Sequence, residues 1–221
     1  MTLFPMLQCW FDPVRRTGPQ AMAIDEWLLE TADLPVLRVY GWLGNWLSVG
    51  YFGEISRARA AFPGVEIVRR WTGGGTVDHR HDWTYSLVVP KHSPVSGARG
   101  AESYRLIHAA LAQALAAEGL VARMSAGEEE TGRAICFENP VAHDLLAAGG
   151  GKLAGAGQRR SKTGLLHQGS VAIGAGGDAR AEAFARCISP CRLLFDRRPD
   201  PADIERRIAL RYACDEWTER R

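Results

Sequence analysis

The sequence predicts an α+β fold, a mixed sheet with helices packed against it. Segments with strand-like alternation and segments with a helical repeat follow one another irregularly, and two glycine-rich stretches lie between apolar runs. The 221 residues, 46% of them hydrophobic, suffice for one packed core. Thr17-Gly-Pro-Gln20 has the form of a capping box, threonine first and glutamine three residues on. A helix should follow, with Ile24, Trp27 and Leu28 on one face and Asp25, Glu26 and Glu30 elsewhere. PVLRVYGW alternates as a strand would, and NWLSVGYF reads as a second strand after the Gly44-Asn45 turn. EIVRRW leads into the triplet Gly73, Gly74, Gly75, and TYSLVVP leads away from it. Strand, glycine turn, strand is therefore the expected context, which suits a phosphate loop poorly. A helix over about 101–118 should turn Tyr104, Ile107, Leu111 and Leu115 inward and stop at Gly119. Residues 127–134 read as a polar loop, and short strands alternate with glycine turns after it. DPADIERRIALRY is expected to be one capped helix with Ile204, Ile208 and Tyr212 inward.

Composition excludes several function classes. The 27 basic residues are matched by 25 acidic ones, which argues against a general nucleic-acid binder. The pairs Arg197-Arg198, Arg206-Arg207 and Arg220-Arg221 read as a solvated face and tail, or as a surface for an acidic protein. No apolar run approaches the roughly 18 residues of a membrane span. The first sixteen residues lack a basic leader followed by an apolar core, so the cytoplasm is the expected location. An odd set of cysteines (Cys9, Cys136, Cys187, Cys191, Cys214) reads there as free thiols. Cys187 and Cys191 fit one helical turn, but no second pair with metal spacing accompanies them, so no zinc site is expected.

Two motifs carry the chemistry. VRRWTGGGTVDHRHDWTYS puts three glycines between arginines and histidines, which suits a tight turn or a ligand lying against the backbone. GGGKLAGAGQRR sets Lys152 before a ladder of small residues, Ala154 to Gly157. Such a ladder leaves a groove for a slender apolar chain, and the lysine offers a positive charge to a carbonyl or phosphate oxygen.

Together RRWTGGGTVDH, WTYS, GKLAGAGQ and HQGS resemble the signature of the lipoate–protein ligase and octanoyltransferase family, which shares its catalytic fold with biotin ligases. AMAIDEWLL resembles that family's first helix and RVYGWLGNWLSVGYF its first strand pair, so the resemblance runs from about residue 8 to 210. It implies one catalytic domain over 1–221 without a separate C-terminal accessory domain. It further implies an acyl channel floored by the first glycine loop, with Lys152 at the acyl carbonyl. Arg70, Thr72, Gly73, Gly74, Gly75, His79, Gly155, Ala156 and His167 are the implied substrate-binding positions. For Arg70 both a hold on loop carbonyls and a reach to phosphate stay open. His79 is a shaping residue or an ordinary loop group, His81 and His143 read as surface, and Trp71 and Trp83 as packing. GQRRSK, residues 157–162, reads as a basic turn that either steers an acidic carrier or is merely solvated.

The family's scaffold hosts two activities. A ligase uses ATP and magnesium to make an acyl-adenylate. An octanoyltransferase needs no cofactor: it takes octanoyl from acyl-carrier protein, holds it on a cysteine, and passes it to a lysine of a lipoyl-carrier domain, a dehydrogenase E2 subunit or the glycine cleavage H protein. Cys136, in ICFENP, resembles the Cys-Phe-x-x-Pro setting of one octanoyltransferase branch. A thiol of ordinary pKa about 8.5 is mostly protonated at neutral pH, and a nearby ammonium such as Lys152 would favour its thiolate. The expected activity is therefore octanoyl or lipoyl transfer by Cys136 and Lys152, with neither membrane, nucleic acid nor metal involved. ATP-dependent ligation, amidotransfer between carriers, and a non-catalytic acyl- or carrier-binding protein are the alternatives. The chain departs from the family pattern at Gly75, where the octanoyltransferase branch has arginine, at Arg80, at Gln168 and in Gly155-Ala156-Gly157.

Overall fold

The computed structural model describes residues 2–98, 101–127, 140–173 and 177–220. The chain begins with β1 (Met6–Phe11), α1 (Gly18–Thr31), β2 (Val36–Tyr40), β3 (Trp46–Val49), α2 (Ile55–Ala61), β4 (Glu66–Arg69), β5 (Thr76–Asp78) and β6 (Trp83–Pro90). It continues through α3 (Pro94–Gly97), α4 (Glu102–Ala117), β7 (Ala122–Met124), β8 (Leu145–Ala147), β9 (Lys152–Arg160) and β10 (Gly164–Val171). It closes with α5 (Gly177–Ile188), β11 (Cys191–Leu194), α6 (Pro201–Arg207), a π-turn (Ile208–Tyr212) and α7 (Asp215–Thr218). The large sheet has the order β11-β1-β2-β6-β10-β9-β8-β7, with β11, β1 and β2 parallel and the remaining pairs antiparallel. A small sheet of order β4-β3-β5 stands against it. The architecture is the expected α+β class.

Strand alternation divides the large sheet into two unlike faces. Leu37, Leu87, Leu165, Val171 and Ala154 point one way and meet Ile107, Leu111 and Leu115 of α4 and Phe184 of α5. Each fully buried Leu or Phe there contributes about 2 kcal/mol. The opposite face presents Arg38, Tyr40, Thr84, Ser86, Gln168 and Ser170 toward α1 and the small sheet. These polar groups are joined to one another. Arg38 is wholly buried; its guanidinium donates to Asp25 Oδ1 at 2.8 Å and Asp12 Oδ2 at 3.1 Å, between the Trp10 and Tyr40 rings. Asp25 Oδ2 also accepts from Ser86 Oγ at 2.5 Å and Gln168 Nε2 at 2.7 Å. Removing one member of such a buried ionic set costs about 3–5 kcal/mol, because it strands the others.

Several local expectations are corrected. Helix α1 is buried on almost every side, Asp25 and Glu26 included, because Arg38 meets the first and Arg211 the second at 2.5 Å. The strands flanking the glycine triplet do not form one hairpin: β4 belongs to the small sheet and β6 to the large one, with β5 between. The expected helix over 200–212 stops at Arg207 and goes on as the π-turn, which buries Ile204 and Tyr212 and leaves Ile208 half-buried. The basic turn expected over 157–162 is mostly strand, because β9 runs to Arg160. Most of the expected polar loop, residues 128–134, lies outside the described residues. No helix among the described residues is long and apolar enough to cross a membrane.

Candidate functional site

The glycine loop between β4 and β5 is held by an arginine from its own approach strand. Arg70 is 5% exposed; it donates to the carbonyls of Gly73 at 3.1 Å and Gly75 at 2.9 Å, and to the carbonyl and hydroxyl of Ser48. Of the two roles open for Arg70, the hold on backbone carbonyls is the one in place. Gly74 has φ of +93°, a conformation a side chain would strain. The loop rests directly on β9: a Cβ on Gly157 would fall on the Gly73 carbonyl and come within 2.9 Å of Thr72 Oγ1. Glycine therefore serves backbone-to-backbone approach here, as well as the wall of a cavity.

Lys152 begins β9 and folds back over Gly155. A Cβ on Gly155 would lie 2.5 Å from Lys152 Cε and 2.8 Å from Nζ, so any side chain there would have to displace the lysine's tip. The ammonium meets Asp144 Oδ2 at 2.8 Å, with the lysine side chain 10% and the aspartate 0% exposed. Asp144 is itself fixed: its Oδ2 accepts from the Val141 amide at 2.8 Å and its Oδ1 from the Tyr104 hydroxyl at 2.5 Å. Burial, then the Asp144 charge, raise the Tyr104 pKa well above its ordinary value, so the hydroxyl stays a donor. It also accepts from the Ala156 amide at 2.8 Å, which ties the lysine's counter-ion to the small-residue strand.

On the other side of the site His79 is stacked on Trp42 with ring centroids 4.0 Å apart. Its Nε2 is 2.6 Å from Ser48 Oγ and its Nδ1 2.7 Å from Asp82 Oδ2. Thr84 and Ser170 donate to the same Asp82 oxygen at 3.0 and 2.5 Å. Gln168 bridges the floor to the loop, accepting from Thr72 Oγ1 at 2.7 Å while donating to Asp25.

Between these groups lies a cavity of about 180 Å³. Of the expected site residues it brings together Arg70, Gly74, Gly75, His79, Lys152, Gly155 and Ala156. Thr72 and Gly73 stand behind the loop rather than on its lining. His167 is a correction. The pleat turns it to the apolar face, where it is wholly buried beside the Tyr85 hydroxyl at 3.1 Å and Gln158 at 3.0 Å. Its neighbour Gln168 takes the cavity position. Burial holds the His167 pKa well below its ordinary value, so the ring is neutral. His81 is exposed as expected, but His143 is only half-exposed and its carbonyl accepts from His108 at 2.8 Å. Trp83 packs in one core cluster and Trp71 against another, where it also lies between the guanidinium groups of Arg159 and Arg211.

Cys136 lies outside the described residues. None of the other cysteines lines the cavity, and burial pushes the Cys9 thiol up to about 11. Among the described residues no group of three His, Cys, Asp or Glu side chains could hold a metal ion. Sequence reasoning missed Asp144 and Ser48, and it met Gln168 only as a departure from the family pattern and gave Asp82 no place in the site. A buried lysine demands a nearby carboxylate, and Asp144 stands eight positions before Lys152 across a hairpin, which is the signal that could have found it. The result is a cavity with glycine backbone and Ala156 on one side and Met22, Tyr40 and Trp42 on the other, with the Lys152 ammonium held at its edge. It can take a slender apolar chain and set a positive charge against that chain's carbonyl oxygen.

Comparison with known proteins agrees with this geometry. The profile of the lipoyl protein ligase A/B catalytic domain matches residues 17–208. A protein named octanoyltransferase LipM from Carboxydothermus hydrogenoformans is 37% identical over 166 residues, 71% of this chain and 61% of its own length. The protein of the same name from Bacillus subtilis is 34% identical over 69% of this chain and 60% of its own. The chain thus spans about three fifths of the length of the curated relatives it matches. A crystal structure of lipoate-protein ligase A bound with ATP superposes with a TM-score of 0.71 at 19% identity, over 96% of this chain and 98% of the other. A Thermoplasma acidophilum structure, described as a bi-partite lipoate protein ligase and its E2 lipoyl domain, gives 0.62 at 17% identity over 99% and 97%. At those identities the structural likeness speaks for the fold alone.

Proposed function

Because the chain belongs to the family of lipoyl protein ligase A/B catalytic domains, we propose that it is an octanoyltransferase of protein lipoylation. The observation that carries this reading is Lys152, held by buried Asp144 at the edge of a narrow cavity walled by Gly74, Gly75, Gly155 and Ala156. The 31–37% identity to proteins named octanoyltransferase LipM supports transfer over ligation. In the proposed reaction the Cys136 thiolate attacks the carbonyl of an octanoyl thioester on acyl-carrier protein. The new C–S bond forms as the old one breaks, and the carrier's thiolate leaves and takes a proton. Lys152 faces the carbonyl oxygen and offsets the charge that gathers there. The acceptor lysine of a lipoyl domain, as its free amine, then attacks the Cys136 thioester. An amide forms, the cysteine thiolate leaves, and the amine's proton is released. Exchange between thioesters is nearly isoenergetic and amide formation is downhill, so the transfer itself needs no nucleotide.

The test is intact mass after incubation with octanoyl-acyl-carrier protein, without ATP, for the wild type and Cys136→Ala. An octanoyl adduct that hydroxylamine removes and the alanine variant lacks is expected. Carrier modification that appears only with ATP and free octanoate would make the protein a ligase, and acyl binding without any modification would make it a binding module.

A further inference from the structure

Helix α4 meets the lysine site from the core side with two side chains one turn apart. Tyr104 and His108 are four residues apart, so they share a face, and their ring centroids lie 4.2 Å from each other. The Tyr104 hydroxyl does two things at once. It donates to Asp144 Oδ1 at 2.5 Å and accepts from the Ala156 amide at 2.8 Å. Pairing of β8 with β9 ends at Ala154, so the hydroxyl takes the place of a strand neighbour for Ala156 on that edge. It thereby joins the counter-ion of Lys152 to a residue of the cavity wall.

His108 works one residue away, through the backbone. It is wholly buried; its Nδ1 donates to the His143 carbonyl at 2.8 Å, while Nε2 meets no partner among the described residues. Burial keeps the ring neutral, with its one proton on Nδ1. The residue it holds is unusual. His143 has φ of +71°, the left-handed region, and no other non-glycine residue among the described ones has a positive φ. A side chain there costs energy and persists where its surroundings fix it. Here the His143 amide donates to the Ser125 carbonyl at 2.9 Å, the Ser125 amide donates to the Asp144 carbonyl at 2.8 Å, and His108 takes the His143 carbonyl. From this turn the next side chain, Asp144, meets Lys152 at 2.8 Å.

We propose that Tyr104 and His108 are positioning residues for the chemistry at Lys152: Tyr104 orients the Asp144 carboxylate, and His108 locks the left-handed turn that presents it. Neither lines the cavity, and both act through Asp144. Their effect on turnover rests on the transfer reading, whereas their hold on Lys152 does not.

The experiment reads the lysine directly. Trace acetic anhydride labels the amines of the folded full chain, and peptide mass spectrometry compares Lys152 with the exposed Lys91 and Lys162. In the wild type Lys152, whose side chain is 10% exposed, should label slowest. Tyr104→Phe frees the carboxylate and His108→Leu frees the turn. In both, Lys152 should reach solvent more often, and its labelling relative to the two references should rise by about ten-fold, the worth of one hydrogen bond to a charged group. His108→Asn, whose amide nitrogen stands where Nδ1 does, should bring it back toward the wild-type value. Should His108→Leu fold poorly, His108→Gln, whose amide reaches past that place, is expected to show the same rise. Leu111→Ala weakens the apolar stripe of the same helix without touching Asp144 and should leave the ratio unchanged. In octanoyl transfer, kcat should fall by about ten-fold in Tyr104→Phe and His108→Leu at unchanged KM, and recover in His108→Asn. Labelling of Lys152 that stays at the wild-type value in Tyr104→Phe and His108→Leu, or that rises as much in Leu111→Ala, overturns the proposal. An active chain whose turnover ignores these variants overturns it too. The expected labelling in a chain that transfers no octanoyl would instead keep the hold on Lys152 and retire the transferase reading.

Discussion

Replacing Asp144 by asparagine isolates one charge in the middle of the site. The side chain is wholly buried and accepts three hydrogen bonds, from Lys152, Val141 and Tyr104. Asparagine can keep all three contacts if its oxygen faces Lys152 and Val141 and its amide donates to the Tyr104 oxygen. What is lost is the negative charge beside an ammonium that is 10% exposed. Stranding one ion of a buried pair costs about 3–5 kcal/mol, and the retained hydrogen bonds place this variant near 3. Lys152→Met removes the other ion and should cost a similar amount. The double variant has no stranded charge, so its loss should fall short of the sum by about 2 kcal/mol or more. Urea unfolding of the four proteins, read at constant m-value, measures the cycle. An Asp144→Asn cost below about 1 kcal/mol, or a coupling energy near zero, would refute the view that Asp144 is what holds Lys152 in place.

Other expectations follow from the same geometry. Gly155→Ala should push Lys152 off Asp144, since the new methyl meets Cε at 2.5 Å; the proposed octanoyl transfer should drop by about 100-fold while the fold persists, as read by intact mass and circular dichroism. Arg70→Ala frees the Gly73 and Gly75 carbonyls and strands the Ser48 groups, so the loop's amide hydrogen exchange should rise and stability fall by about 2–3 kcal/mol. Acid should destabilise the protein before its carboxylates titrate. Burial pushes His108 down to about 4 from 6.5 and holds His167 well below its ordinary value. Below about pH 6.5 the unfolded chain therefore binds protons that the folded chain refuses. Stability should fall as pH drops from 7 toward 4, with roughly 3 kcal/mol from His108 alone. Urea midpoints across that range check the slope, and His108→Gln should flatten it.

What could be read from the sequence was whatever is written in adjacent residues. Thr17 and Gln20, Gly44, Gly119 and the inward stripe of α4 are local signals, and the chain obeys them. The two glycine motifs told of a slot and a lysine. The partners that make the lysine usable did not show, because a buried pair such as Lys152 and Asp144 is fixed by a hairpin register rather than by spacing. Parity decided the histidine: in a strand one position separates the cavity from the opposite core, and Gln168 rather than His167 fell on the cavity side. Asp25 and Glu26 read only as lying off the apolar face, because their arginines come from 13 residues away in one case and 185 in the other.

The two faces of the large sheet set different rules for change. In the apolar half, a lost methyl group can be answered by a single neighbour of complementary volume. Beneath the cavity, Arg38 shares its donors among Asp12, Asp25 and the Ala21 carbonyl, and Asp25 shares its oxygens with Ser86 and Gln168. Any one of them replaced alone leaves the rest unanswered. The floor under the cavity is therefore a block that drifts together or stays put, while a lining residue outside that network, such as Val77, can change by itself.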